Sequence, residues 1–163
     1  MTTIAAPIPY TSRSGGAGST VGLIEEKVSQ YLRVLRESYV YGQTEETSPS
    51  KAYEIFDECR RGNWDGQGAA PVSERVFTNL YNLLGTLPFS MSPTSLGAEP
   101  DGHMTVEWYR SPSRTLSVSV GPDDKLHYAA LVGMSEHYGT EPFYMNGELP
   151  KRIADLIRSV LAT

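Results

Sequence analysis

Two kinds of hydrophobic periodicity divide the chain near Pro88. Before this residue, apolar side chains recur at intervals of three and four, which predicts amphipathic helices. After it, apolar and polar residues alternate, which predicts β-strands. The order of these elements predicts an α+β fold: three N-terminal helices, a four-stranded antiparallel β-meander, and a C-terminal helix packed on one sheet face.

The helical patterns predict helices over about residues 20–41, 49–61 and 74–85. Ser48 and Ser73 are the predicted N-caps of the second and third helices. A final helix is predicted with Pro150 in its first turn, and the segment 1–19, rich in Pro, Gly and Ser, is predicted to be a disordered tail. Residues 20–163 are therefore predicted to form a single α+β domain.

One face of a four-stranded sheet has room for about two or three helices. The sequence predicts four, so the first helix needs another place to pack. Two interpretations stay open. The helix packs on the other helices, or its Tyr31 and Tyr39 face contributes to a surface for a partner or for self-association.

The predicted strands are separated by three short turns that fix their register. The strands cover 93–98, 103–110, 114–120 and 126–132, and the turns 100–102, 111–113 and 122–124. Pairing across each turn places eight apolar cross-strand pairs on one face, and leaves small and polar residues for most of the opposite face. The expected cross-strand pairs are Ala98 with Met104, Leu96 with Val106, Trp108 with Leu116, Val106 with Val118, Met104 with Val120, Val120 with Leu126, Val118 with Tyr128, and Leu116 with Ala130. The stretch 133–147 is predicted to be a loop.

Composition and charge argue against several classes of function. The chain has 163 residues with 19 acidic and 14 basic side chains, a net charge of -5, which argues against a general nucleic-acid binder. Such binding would require convergence of the arginines Arg33, Arg36, Arg60 and Arg61. The sequence contains no apolar run long enough to span a membrane and no convincing secretory signal. Together with a lone Cys59, these features predict a cytoplasmic protein.

A serine and a histidine on the polar face of the predicted sheet are the sharpest candidates for chemistry. The register places Thr105, Ser119 and His127 side by side, with Glu107 diagonal to Ser119. A nucleophile also needs an oriented base and an oxyanion hole. The favoured interpretation is therefore a solvated outer face, and catalysis by these four residues is the weaker alternative.

No cofactor and no metal site is predicted. His103 and Glu107 share a face, but four strand residues span about 13 Å, too far for one ion. His137 lies near Glu136 and Glu141 in the predicted loop, which does not by itself make a site. Cys59 falls on an apolar helical stripe, which is typical of a buried small side chain.

The tripeptide Trp64-Asp65-Gly66 is the most individual local feature of the sequence. Asp65 is suited to bond nearby backbone N–H groups, and Trp64 to anchor a corner between helices. The structural corner is the main interpretation, and a contact site for a partner at Trp64 and Asp65 is the alternative.

Residues 60–161 resemble a functionally uncharacterised family of small bacterial proteins. The pieces that carry the resemblance are W-D-G-x-G-A at 64–69, D-G-x(4)-E-W at 101–108 and G-T-E-P-F at 139–143. The resemblance implies no activity. It implies that the corner, the hairpins and the final helix form one unit.

The leading hypothesis is a small non-enzymatic protein-interaction or regulatory protein of unknown process, whose partner is another protein or a second copy of itself. The alternative is a small hydrolase or ligand-binding protein that uses Ser119 and His127 on the polar sheet face.

Overall fold

Residues 41–44, 47–144 and 147–162 are described by the computed structural model, and they form a mixed α+β structure. A single 3-10 turn, Phe89–Met91, precedes the main sheet. The elements in chain order are β1 (Tyr41–Thr44), α1 (Pro49–Cys59), α2 (Glu74–Thr86), β2 (Ser95–Ala98), β3 (Met104–Ser111), β4 (Arg114–Val120), β5 (Lys125–Val132), β6 (Ser135–Pro142) and α3 (Lys151–Leu161).

The register predicted for the meander is confirmed. Neighbouring strands pair antiparallel in the order β1-β2-β3-β4-β5-β6. All eight predicted apolar pairs are present as direct cross-strand partners, from Ala98 with Met104 at one edge to Leu116 with Ala130. Alternation and turn chemistry were therefore sufficient to specify which face of β2 to β5 carries the apolar core side chains.

The predicted number of strands is wrong, because the meander from β2 to β6 has five strands rather than four. Strand β6 covers most of the stretch that was predicted to be a loop. Its side chains are largely exposed on both faces, so the sequence lacks the apolar alternation that reveals a half-buried strand. Strand β1 adds a short, irregularly paired strand beside β2.

Helices α1 and α2 begin where the sequence predicts, and α3 begins just after Pro150, which was predicted to lie in its first turn. Ser48 Oγ accepts a hydrogen bond from Lys51 N at 3.2 Å, and Ser73 Oγ accepts one from Val76 N at 3.3 Å. These caps satisfy backbone donors that have no partner within the first turn. The predicted first helix, including Tyr31 and Tyr39, and the predicted tail lie outside the described residues, except for Tyr41 at the end of that helix, which instead begins β1.

One hydrophobic core joins α1, α2 and α3 to the apolar face of the sheet. Trp108, at its centre, is fully buried, and its indole N–H donates to the Met91 carbonyl at 2.8 Å. That bond satisfies the polar atom of the largest core side chain and ties the 3-10 turn to β3. Within the described part of the chain, none of the helices has the length and apolar character of a membrane span.

The Trp64 corner connects α1 to the first turn of the meander. Trp64 Nε1 donates to the Ala70 carbonyl at 2.9 Å, and Ala70 N donates to the Pro100 carbonyl at 2.8 Å. Asp65 Oδ1 accepts from the backbone N–H groups of Gln67 and Ala69 at 2.8 and 3.0 Å, as the structural interpretation requires. These bonds to the charged form lower the pKa of Asp65.

Gly139 in β6 lies directly under a core side chain. A Cβ at this position would lie 2.9 Å from Tyr128 Oη, and Tyr128 is only 7% exposed. The exposed strand therefore contacts the core at this residue.

We expect Gly102→Ala to destabilise the protein by about 2 kcal/mol. Gly102 has φ of 88°, and a Cβ there would lie 2.9 Å from the Pro71 carbonyl oxygen of the corner loop. Urea denaturation measures the change. Gly85→Ala is the matched control: Gly85 lies in α2 with open space around it, so we expect this variant to be more stable by about 0.5–1 kcal/mol. Equal effects of the two substitutions would contradict this account.

Candidate functional site

The polar face of the sheet brings together most of the residues proposed for chemistry. Gly97, Thr105, Ser119, His127 and Thr140 form one row across β2 to β6, each opposite the next. This row lies on the face opposite the described helices. The predicted neighbourhood of Thr105, Ser119 and His127 is therefore present.

The expectation that this face is solvated is wrong at the centre of the row. Thr105 and Ser119 are each only 1% exposed. Their hydroxyls are bonded to side chains: Thr105 Oγ1 lies 3.1 Å from Ser117 Oγ, and Ser119 Oγ lies 3.1 Å from His103 Nδ1. Each hydroxyl therefore replaces a hydrogen bond to water with one to a side chain on the same face. This keeps the free-energy cost of burying it small.

The hydrogen-bond partner of Ser119 is His103, not the predicted His127. His127 Nδ1 lies 3.1 Å from Thr140 Oγ1, and its Nε2 lies 3.5 Å from Asp123 Oδ2. The two imidazole rings lie nearly parallel with centroids 6.1 Å apart. Register specifies which residues are neighbours, but side-chain rotamers decide which neighbours bond. Ser119 hydrogen-bonds with His103, its diagonal neighbour, and not with His127, which lies directly opposite it.

The predicted acid, Glu107, lies opposite Ser117 and accepts a hydrogen bond from Ser95 Oγ at 3.1 Å. Asp101 also lies near the Ser119–His103 pair, with its Oδ2 3.9 Å from His103 Nδ1. Serine and acid therefore approach the same ring nitrogen. In a catalytic triad they bind opposite nitrogens, so that the acid orients the base toward the serine. This arrangement, with a buried serine, does not favour hydrolysis.

Glu99 is the member of this cluster that the sequence pattern did not identify. It pairs with His103 across the turn, since Glu99 N donates to the His103 carbonyl at 2.9 Å. Its side chain is only 2% exposed, and Oε1 is buried without a hydrogen-bond partner. Its place in the alternation was a usable signal, because residue 99 falls on the same face as Gly97.

Burial raises the pKa of Glu99 to about 7. The charge of Asp101 raises it further, while the nearby hydroxyls of Ser119 and Thr105 oppose the shift. The hydroxyls stabilise the charged form without supplying a bond to Oε1. The carboxyl group therefore holds its proton to a higher pH than an ordinary glutamate does.

Other candidate residues take structural positions. Cys59 is fully buried, and burial, assisted by the charge of Glu58, raises the pKa of its thiol to about 12, which disfavours the nucleophilic thiolate. Among the described residues, no group of three or more His, Cys, Asp or Glu side chains is placed to hold a metal ion. His137 lies in β6, with its Nδ1 3.2 Å from Arg152 Nη2.

The arginines named for nucleic-acid binding are only partly described. Arg60 forms an ion pair with Asp57, with Nε and Oδ1 3.1 Å apart, and Arg61 is exposed. Arg33 and Arg36 lie outside the described residues.

The outer edge of β6 is a second candidate site. This strand has eight residues and stands at the end of the sheet order, paired only on its β5 side within the described residues. Three exposed large apolar side chains lie on it or at its ends: Met134, Tyr138 and Tyr144. An unpaired strand edge offers backbone N–H and C=O groups to another strand.

Comparisons with protein-family models, with curated proteins and with solved structures find no match to this chain. The resemblance at 64–69, 101–108 and 139–143 therefore stays a prediction.

We expect Glu99→Gln to remove a pH dependence of stability. A carboxyl group with a higher pKa in the folded chain binds its proton more tightly there. The free energy of unfolding therefore falls as pH rises from about 4.5, the ordinary value, to about 7. The variant should match the native protein near pH 4 and exceed its stability near pH 8, by on the order of 3 kcal/mol. Urea denaturation across this range measures the difference, and parallel curves would contradict the assignment.

Proposed function

We propose that this protein is a small non-enzymatic interaction protein whose contact surface is the outer edge of β6. The observation that carries the proposal is an eight-residue edge strand with exposed side chains and no described strand beside it. Sheet extension by an added strand is a common mode of polypeptide recognition, in which backbone bonds supply affinity.

The side chains along this edge support the same function. Met134 is fully exposed at the tip of the β5–β6 hairpin, Tyr144 is 63% exposed just after the strand, and Tyr138 lies between them. Tyrosine is enriched at protein interfaces because its ring buries apolar area while its hydroxyl keeps a polar partner. The edge thus offers both backbone groups and apolar contacts to one partner.

A second candidate function, ligand binding at the polar face, is supported by the unpartnered Oε1 of Glu99. A buried carboxyl oxygen without a donor leaves a polar group that a ligand N–H or O–H would satisfy. Ser119 and His103 beside it add a hydroxyl and an imidazole. The chemistry favours a small amine or polyol as the ligand.

A thermal-shift screen of small amines and polyols tests the second candidate. We expect a ligand of this site to raise the melting temperature of the native protein and to lose that effect in Glu99→Gln. Equal shifts in both proteins, or no shift with any compound, would count against ligand binding at Glu99.

Photo-crosslinking in the native host tests the proposed interaction surface. A photoreactive phenylalanine analogue replaces Tyr138 on the edge or, as the control, Phe89 on the 3-10 turn. Phe89 is 98% exposed and Tyr138 45%, so exposure alone predicts more crosslinking at Phe89. We expect a polypeptide adduct at position 138 and none of the same mass at position 89. Absence of an adduct at position 138, or the same adduct at both positions, would contradict the proposal.

A further inference from the structure

The hairpin turn determines which backbone groups of β6 face outward. Val132 pairs with Ser135 across a two-residue turn, and Gly133 has φ of 64°. The pair that closes such a turn is hydrogen-bonded, and hydrogen-bonded and non-hydrogen-bonded pairs then alternate. The backbone groups of residues 135, 137, 139 and 141 therefore face β5, and those of residues 136, 138, 140 and 142 face outward.

We propose that the partner on this edge is a second copy of the same chain, paired antiparallel about a two-fold axis at Gly139. This inference rests on the proposed function and names its partner. In this register Tyr138 of each copy faces Thr140 of the other. Both residues have outward N–H and C=O groups, so each such pair exchanges two backbone hydrogen bonds.

The ends of the strand are compatible with this register. Glu136 of one copy faces Pro142 of the other. Pro142 has no N–H but retains an outward carbonyl, which accepts from the Glu136 N–H. The pair of Glu136 and Pro142 therefore keeps one backbone hydrogen bond. The missing proline N–H ends the ladder of hydrogen bonds between the two copies at this pair.

Charge complementarity favours a second copy over an unrelated strand. The two-fold register sets His137 opposite Glu141, and the symmetry repeats the pair. His137 Nδ1 lies 3.2 Å from the Arg152 guanidinium, which can only donate, so the ring proton belongs on Nε2. Nε2–H is then the donor toward the Glu141 carboxylate of the other copy, with Arg152 adding positive charge beside it.

The exposed apolar side chains at the ends of the edge are also brought together. Continued by the same symmetry, Met134 of one copy lies level with Tyr144 of the other. Both are exposed in the single chain, and a thioether beside an aromatic ring is a favourable contact.

Neighbouring registers lose this complementarity. A shift of two residues toward the hairpin sets Tyr138 against itself and Glu141 against Ser135. A shift of two residues the other way sets Glu141 against Gly139. Shifts of one residue oppose inward-facing to outward-facing backbone groups, so the ladder cannot form. The Gly139 axis is the register in which charge and backbone bonding agree.

A charge-swap experiment tests the pairing by analytical ultracentrifugation of the full chain. We expect the native protein to form a concentration-dependent dimer. His137→Glu and Glu141→Lys should each weaken it by roughly tenfold. The first substitution sets two carboxylates opposite each other twice, and the second removes the acceptor of the His137 Nε2–H and brings a cation toward Arg152. An equimolar mixture of the two variants should recover the dimer, since each mixed pair then carries opposite charges or the native pair. Recovery also shows that both variants are folded.

Two further variants complete the test. Glu148→Lys makes the same charge change as Glu141→Lys at an exposed site outside β6, and the dimer should be unchanged. Thr140→Pro removes an outward N–H that β5 does not use, and the dimer should be lost.

The outcomes separate this inference from the proposed function. A native monomer at concentrations up to about 100 µM would overturn self-pairing, as would a dimer insensitive to the charge changes. A crosslink from position 138 to a different polypeptide, with a native monomer, would overturn self-pairing and leave the interaction surface standing.

Discussion

Burial of one face of the meander against the helices is the constraint on which the rest of the structure depends. Met104, Val106 and Trp108 alternate along β3, and their cross-strand partners on β4 are as deeply buried. Each fully buried large apolar side chain stabilises the fold by roughly 1.5–3 kcal/mol. Because the side-chain period of a strand is two, this burial places the intervening residues on the opposite face. The polar row from Gly97 to Thr140 is a geometric consequence of the core.

The same constraint explains what the sequence could and could not predict. The register was predictable since a slip of one residue would turn Val118 and its neighbours away from the helices. The helix starts were predictable because Ser48 and Ser73 cap them through local bonds. Strand β6 was not, because an edge strand outside the helix layer carries no apolar alternation. This strand is held by backbone hydrogen bonds to β5, and such bonds place little demand on which side chains the strand carries.

The sequence predicted which residues lie together in the polar cluster, but not which of them form hydrogen bonds with each other. Ser119 and His127 are neighbours as expected, yet the serine bonds to His103. Hydrophobic alternation specifies a face, while the choice among polar partners within it depends on rotamers. Glu99 was missed for a related reason. An acidic residue before a turn is ordinarily solvated, and the alternation places residue 99 on the polar face without showing that it is buried there.

The contact between Gly139 and Tyr128 has an evolutionary consequence. Any side chain at position 139 would meet the Tyr128 ring, so the space available at an exposed strand is limited by a residue of the core. Substitution at one position is therefore conditional on the other: a larger residue at 139 becomes acceptable once position 128 is smaller. The two sites should drift as a pair rather than independently.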